Sequence, residues 1–380
     1  MTCCFQSVVA LHEIVAASPA LADVQAAVDA AVNGDIVRVP AGAATWNDSL
    51  NIINKTIFLT GAGSGVSGTV INYGGHSLIM IDAGTQIGHM SVSGFRFVGG
   101  DANNWSGTAI NFSGAIGWKN FRIHHNVFDN NLQYSLRGSA ATCGLIDNNI
   151  FQGSAHGIEL SGNGNIDWTT ALVLGTDGFF FIEGNTFNWD DWYGSTGAIT
   201  VDFYNGGRVV FRNNTCRNAL FETHDRARDG FPSANAWEIY NNTFTCDSNH
   251  WKGLDITAGT GVIWGNTFTG DWSVPIGAMD YKTFDSRSIP PCDGNDPDDQ
   301  NVPGETGWRC QYQIGSQNWG ANAVGYPAYI WSNTKNGVAE GMYCTSGAIH
   351  VVDGRDFINN GTTSKSGYTP FMYPHPLQLL

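Results

Sequence analysis

Hydrophobic and polar positions follow a pattern that recurs along this chain. FRIHHNVF, GLIDNNIF, FFIEGNTF, VVFRNNTC, WEIYNNTF and GVIWGNTF share one template: an aliphatic or aromatic residue, two positions, Asn, one position, then Phe or a substitute. The Asn residues are Asn126, Asn149, Asn185, Asn214, Asn242 and Asn266, at gaps of 23, 36, 29, 28 and 24 residues. SVSGFRF puts Phe95 in the Asn slot, and YIWSNTKN puts Asn333 there. A motif returning at that period is an internal repeat.

Between copies the alternation continues as short runs of period two: AINFSG, HGIEL, GAITVDF, ALFETH and GLDIT. No stretch shows the 3.6-residue period of a helical repeat, so each unit is expected to hold two or three short strands. Units of about 23 residues built that way stack as a parallel β-helix, and longer intervals are coils carrying loops. At the turn, Asn is expected to accept a left-handed backbone and to bond, through its amide, the Asn one coil away. The Phe two positions on then points inward and stacks on its counterpart. His124 and His125 fall on the strand before that turn, an outer wall rather than a site.

Composition sharpens this. Charged residues are 13%, aromatics 12% and Gly numbers 48, a mixture that favours many strands and turns. The net charge of −15 repels nucleic acid and anionic membranes at long range and argues against both as partners. No apolar run reaches the ~18 residues of a membrane span. Residues 1–21 read as a leader or extension: they end in an Ala-x-Ala-like sequence but have no basic start, and His12 and Glu13 interrupt the apolar part. Eight cysteines follow no zinc spacing, and Cys292 with Cys310 is the pair best placed for a disulfide, which points to an extracellular or cell-surface location.

ADVQAAVDAAVNGDIVRVPAG, residues 22–42, adds an amphipathic helix with Val24, Ala27, Val28 and Ala31 on one face, stopping at Asn33-Gly34 before a Val/Ile strand. With the stacked Asn and Phe motif, this helix makes the chain resemble the right-handed parallel β-helix, pectin-lyase-like superfamily, over residues 22–270 and 326–377. The resemblance implies an all-β, right-handed parallel β-helix whose N-terminal helix caps the open end. It makes 22–380 one domain, with a Pro-, Gly- and Asp-rich loop excursion over 271–325 and a closing tail at YTPFMYPHPL, 368–377.

In that superfamily the substrate groove lies on the outer face of the first strand of each coil, which implies that the intervening runs line it. Alternation then turns Ile158, Leu160, Ile199, Val201, Leu254 and Ile256 inward and Glu159, Thr200, Asp202 and Asp255 outward, with Arg137 beside them. ETHDRARDG, 222–230, holds six ionisable residues in nine and adds Glu222, His224, Arg226 and Arg228. It is either a loop stapled by its own ion pairs or the acid, base and charge neutraliser of one subsite. Tyr134, Trp189, Trp192, Tyr193, Trp251 and Trp272 are candidates for stacking on sugar rings. Asp293, Asp296, Asp298 and Asp299 offer oxygen donors for Ca²⁺, without the closing Glu of an EF-hand.

The polygalacturonase carboxylate constellation is represented only by His156-Gly157, and the pectate-lyase pattern is missing. The leading expectation is an enzyme that degrades an extended polysaccharide by β-elimination at a uronate, with Arg226, Arg228, Arg137 and His224 supplying base and cation. The alternative is hydrolysis by paired carboxylates drawn from Asp202, Glu222 and Asp255. A non-catalytic glycan-binding rod of the same fold is the third reading.

Overall fold

The computed structural model describes residues 12–99, 107–129, 134–139, 143–153, 156–189, 198–225, 232–279, 299–300, 309–310, 312–317, 324–346 and 351–379. Three sheets of twelve, ten and eleven strands run along the molecule, and neighbours within each sheet come from successive coils. The pairings along the stack are parallel, closing with one antiparallel pair, Asn333–Lys335 with Val338–Glu340. A parallel strand followed by a crossover into the next parallel strand winds right-handed, so the chain is a right-handed parallel β-helix. The alternating runs place Ile158, Leu160, Val201, Leu254 and Ile256 in the interior with no exposed surface.

The helix spans Leu21–Ala30 and buries Val24, Ala27 and Val28. It packs on the first strands of the stack and covers their open end. Lys55 Nζ donates to the carbonyls of Val28 at 2.8 Å and Ala31 at 2.9 Å, where the helix leaves acceptors and negative dipole without a partner. Glu13–Val15, ahead of the helix, already pairs with Ile36–Arg38 as the first strand of the twelve-stranded sheet. Ile276–Met279 lies within the stretch expected to be a loop excursion, yet it is a full member of the ten-stranded sheet, between Leu254–Ile256 and Tyr343–Ser346. Cys292 lies outside the described residues, so the proposed disulfide has no structural account.

The turn between the twelve- and eleven-stranded sheets carries the Asn motif. Asn126, Asn149, Asn185, Asn214, Asn242 and Asn266 each donate Nδ2 to Oδ1 of the next Asn, ending on Asn333, at 2.9–3.2 Å. Each Oδ1 also accepts from the backbone N–H of the preceding copy, and at the start of the series Phe95 N donates to Asn126 Oδ1 at 3.1 Å. Two residues on, Phe97, Phe128, Phe151 and Phe187 stack with centroids 5.4, 4.8 and 4.6 Å apart. Cys216 takes the next slot, and Phe244 and Phe268 resume the stack at 4.9 Å.

The left-handed residue of the turn differs from the expectation. It is the position before the bonded Asn, occupied by His125, Asn148, Gly184, Asn213, Asn241, Gly265 and Ser332, all with φ between 53° and 67°. The amide-bonded Asn must aim its side chain along the stack, so its neighbour absorbs the unfavourable φ. Of the His pair, His125 is therefore this turn residue, while His124 closes the strand Phe121–His124.

The interior amides give a stability test. Removing Asn214 strips the acceptor from the Asn185 N–H and the donor from the Ile182 carbonyl, both buried. Asn214→Ala is expected to lower unfolding free energy by about 2–6 kcal/mol at ~1–3 per abandoned group. A denaturant midpoint that does not move would contradict this.

The closing tail lies along the twelve-stranded sheet. Arg212 and Glu183 are register partners on that sheet and have no exposed surface. Arg212 Nη1 donates to the Phe371 carbonyl at 2.6 Å and Nη2 to the Met372 carbonyl at 2.8 Å. Glu183 Oε1 accepts from the His375 N–H and from Gln378 Nε2, each at 2.8 Å. Further along, Arg122 holds Asp147 with two bonds of 2.8 Å and reaches the Leu377 carbonyl at 3.0 Å.

Candidate active site

One register line crosses the outer face of the ten-stranded sheet. Asn111 pairs with Arg137, Arg137 with Glu159, Glu159 with Asp202, Asp202 with Glu222, and Glu222 with Asp255. Four carboxylates thus stand on four consecutive strands, about 4.8 Å from one strand to the next. This is the outward set predicted from the alternation, gathered in one row by parallel registry.

A register skip changes one member of the expected set. Between Ile199 and Val201 the strand bulges against its neighbour, and Thr200 turns inward with no exposed surface. The extra residue restores the phase, so that Asp202 still faces out.

Each end of the row is neutralised. Arg137 Nε donates to Glu159 Oε1 at 2.5 Å, and the Tyr204 hydroxyl donates to the same oxygen at 3.3 Å. Tyr134 is bonded to Glu159 as well, and burial, with the charge of Glu159 beside it, raises the phenol pKa. His224 Nδ1 stands 3.0 Å and 3.2 Å from the two oxygens of Asp202. Lys252 Nζ, itself buried, donates to Asp255 Oδ1 at 2.6 Å and rests 4.1 Å from the Trp251 ring centroid. Burial raises the Asp255 pKa, and Lys252 opposes the shift.

Glu222 differs from the others. No hydrogen bond reaches its carboxyl among the described residues, and it is only 8% exposed. Burial first, and then the charge of Asp202, pushes its pKa up to about 8, with His224 and Lys252 pulling the other way. At neutral pH it is a carboxylic acid standing between two ion-paired carboxylates, and so carries a proton it can donate.

Several candidates do not join this arrangement. Trp189 was expected at the groove rim but is 1% exposed, its indole N–H directed to Thr200 Oγ1 at 3.3 Å, so it fills the interior at the bulge. Trp272 is likewise 1% exposed, donating to the Thr269 carbonyl at 3.1 Å and packing on Phe268. Both loops fold their rings down because a buried indole recovers far more apolar contact than a rim can offer, provided its N–H finds an acceptor. Tyr134 and Trp251 do border the row. Within ETHDRARDG the two readings divide: Glu222 and His224 face the row, while Asp225 accepts from Ser233 Oγ at 2.5 Å as a structural staple. Arg226, Arg228, Trp192, Tyr193, Asp293, Asp296 and Asp298 lie outside the described residues, as does the side chain of Asp299.

Tyr204 and Lys252 are not among the residues singled out by the sequence, and His156 is named there only in the isolated His156-Gly157 pair. Tyr204 shares the outward phase of Asp202 two residues earlier, a signal that alternation could have given. Lys252 sits on the approach to its strand, where periodicity says nothing.

A second concavity, of about 500 Å³, lies on the outer face of the twelve-stranded sheet beside Arg38, Phe58, His89, Arg122 and His124. Its two arginines are engaged by Glu13 and Asp147. His124 is held neutral, its pKa lowered to about 3 by burial and by Arg122 and His125. This wall offers no acid–base pair comparable to the carboxylate row.

No protein-family model matches the chain. No curated protein matches it either. Among solved structures, it aligns with the catalytic domain of a GH87 α-1,3-glucanase, an aspartate-to-alanine variant in complex with tetrasaccharides. The identity is 10%, the coverage 93% of this chain and 68% of the other, and the TM-score 0.29, too loose a superposition to transfer any residue or role. No helix among the described residues is long and apolar enough to cross a membrane.

Proposed function

We propose that the protein is a glycoside hydrolase of the parallel β-helix type, pectin-lyase-like in descent, that cleaves an extended polysaccharide outside the cell or at its surface. One arrangement carries this reading: Glu222 is buried between Asp202 and Asp255, each held by its own basic group, and that burial beside Asp202 favours its protonated form. Hydrolysis of a glycosidic bond requires that division of labour. Glu222 gives its proton to the glycosidic oxygen as the C1–O bond breaks, and Asp202, oriented by His224, attacks C1. The ionised Glu222 then takes one proton from water as the water oxygen bonds C1 and the C1–O bond to Asp202 breaks, which frees the sugar and restores both carboxyl groups.

Neighbouring strands place the two carboxyl groups near the ~5 Å separation of retaining enzymes. The product is therefore expected to keep its anomeric configuration, read by proton NMR in the first minutes of reaction. The elimination reading has less support, because Arg137 and His224, its cations among the described residues, are already committed to Glu159 and Asp202. Reducing-end and 235 nm assays on a polysaccharide panel separate the chemistries. New reducing ends without unsaturated product support hydrolysis, absorbance at 235 nm would replace it with elimination, and no product from any polymer would leave a binding rod.

A further inference from the structure

One polar atom beside the carboxylate row has no partner. His156 Nδ1 is buried without a hydrogen bond, although a neutral imidazole nitrogen removed from water is normally satisfied. The ring stands edge-on to Tyr134, with centroids 5.0 Å apart, at the paired position on the neighbouring strand. It also feels the charges of Asp202, Glu159 and His224, which locates it at the row rather than in the core; burial nevertheless lowers its pKa. Glu159 next to it is saturated by Arg137, Tyr204 and Tyr134. This corner therefore has one bonding direction left over.

The occupant must bond an imidazole nitrogen in surroundings dominated by negative charge. A sugar hydroxyl does so in either direction, donating to or accepting from Nδ1. A uronate would instead bring another carboxylate beside Glu159, Asp202 and Asp255, in a chain of net charge −15. Among the described residues, the one guanidinium beside this corner, Arg137, is already bound to Glu159. We propose that His156, with Tyr134 as its wall, is a subsite that takes an uncharged pyranose next to the cleavage point and discriminates against uronates, Nδ1 bonding a ring hydroxyl. This rests on the hydrolase reading for its position relative to cleavage, and names the substrate class for it.

The test uses the full-length Glu222→Gln protein, which retains the groove, titrated calorimetrically with neutral gluco-, galacto- and manno-configured tetrasaccharides and with tetragalacturonate. At least one neutral ligand is expected to bind at least about 10-fold more tightly than the uronate, and adding His156→Ala to weaken it by about 10-fold. His156→Asn, whose amide reaches the place of Nδ1, is expected to recover most of that loss. Equal or tighter binding of the uronate overturns the proposal, as does unchanged affinity in His156→Ala. Should His156→Ala fail to fold, the neutral-against-uronate comparison still decides. Neutral binding with this preference but no release of reducing ends by the native protein would remove the hydrolase reading and leave the subsite. Cleavage that is indifferent to His156 would remove the subsite and leave the hydrolase.

Discussion

Glu222→Gln is expected to lower kcat/KM by about 10²–10⁴-fold, the usual worth of a positioned general acid, and to abolish the basic limb of the pH profile. In the native protein that limb falls near pH 8, where Glu222 gives up the proton that burial and Asp202 hold on it. Glutamine keeps the shape of the side chain and the neutrality of its protonated form, so binding of substrate should be little changed. Stability moves with pH as well. The carboxyl titrates near 4.5 in an unfolded chain and near 8 in the fold. The fold therefore favours the protonated form, and Glu222's contribution is fully present below about pH 4.5 and lost as pH rises through 8. The glutamine variant has no such loss, and its denaturant midpoint should fall less over this window. A variant that retains activity and the same basic limb would remove Glu222 from the acid role.

Arg212→Met is expected to cost about 3–5 kcal/mol, because it leaves the Glu183 carboxylate buried without its counter-charge. The loss extends beyond the pair. The same guanidinium holds the Phe371 and Met372 carbonyls and the Tyr240 hydroxyl, while Glu183 holds the His375 N–H. The tail should therefore loosen before the stack does, and limited proteolysis should cut near Met372 and Tyr373 in the variant at protease levels that spare the native chain. Glu183→Leu added to Arg212→Met removes the stranded charge, and the double variant should regain part of the stability without regaining the tail's protection. Global stability within about 1 kcal/mol of native in the single variant would show that water or another group replaces the arginine.

The parts of the fold that sequence reveals are those in which one residue type repeats one job. Asn126 through Asn266 and the Phe residues two positions on could be read as a stack because each coil must satisfy the same turn and fill the same interior column. The row from Arg137 to Asp255 was legible for a related reason: strict alternation fixes which side chains face out, and parallel registry aligns them. Alternation fails where the backbone inserts a residue, as at Thr200, and it is silent on loops, which is why Trp189 and Trp272 were placed at a rim they do not occupy. Lys252 and His156 each stand three residues ahead of a carboxylate of the row, Asp255 and Glu159, an odd spacing that strict alternation assigns to the opposite face, so period two could not place them there. The proton on Glu222 was hidden too, since its cause is burial beside Asp202 rather than anything in ALFETH itself.

The amide series also behaves as a ruler. Its members are separated by 23 residues in one place and by 67 in another, yet Asn126 reaches Asn149 at 3.1 Å and Asn266 reaches Asn333 at 2.9 Å. Pitch is thus decoupled from contour length, and whatever a coil carries outside the turn, the next coil begins at the same height. Walls around the carboxylate row can consequently be lengthened, trimmed or exchanged by insertion between strands while the spacing of Glu159, Asp202, Glu222 and Asp255 stays constant, much as fittings are changed on a rail whose gauge is set elsewhere.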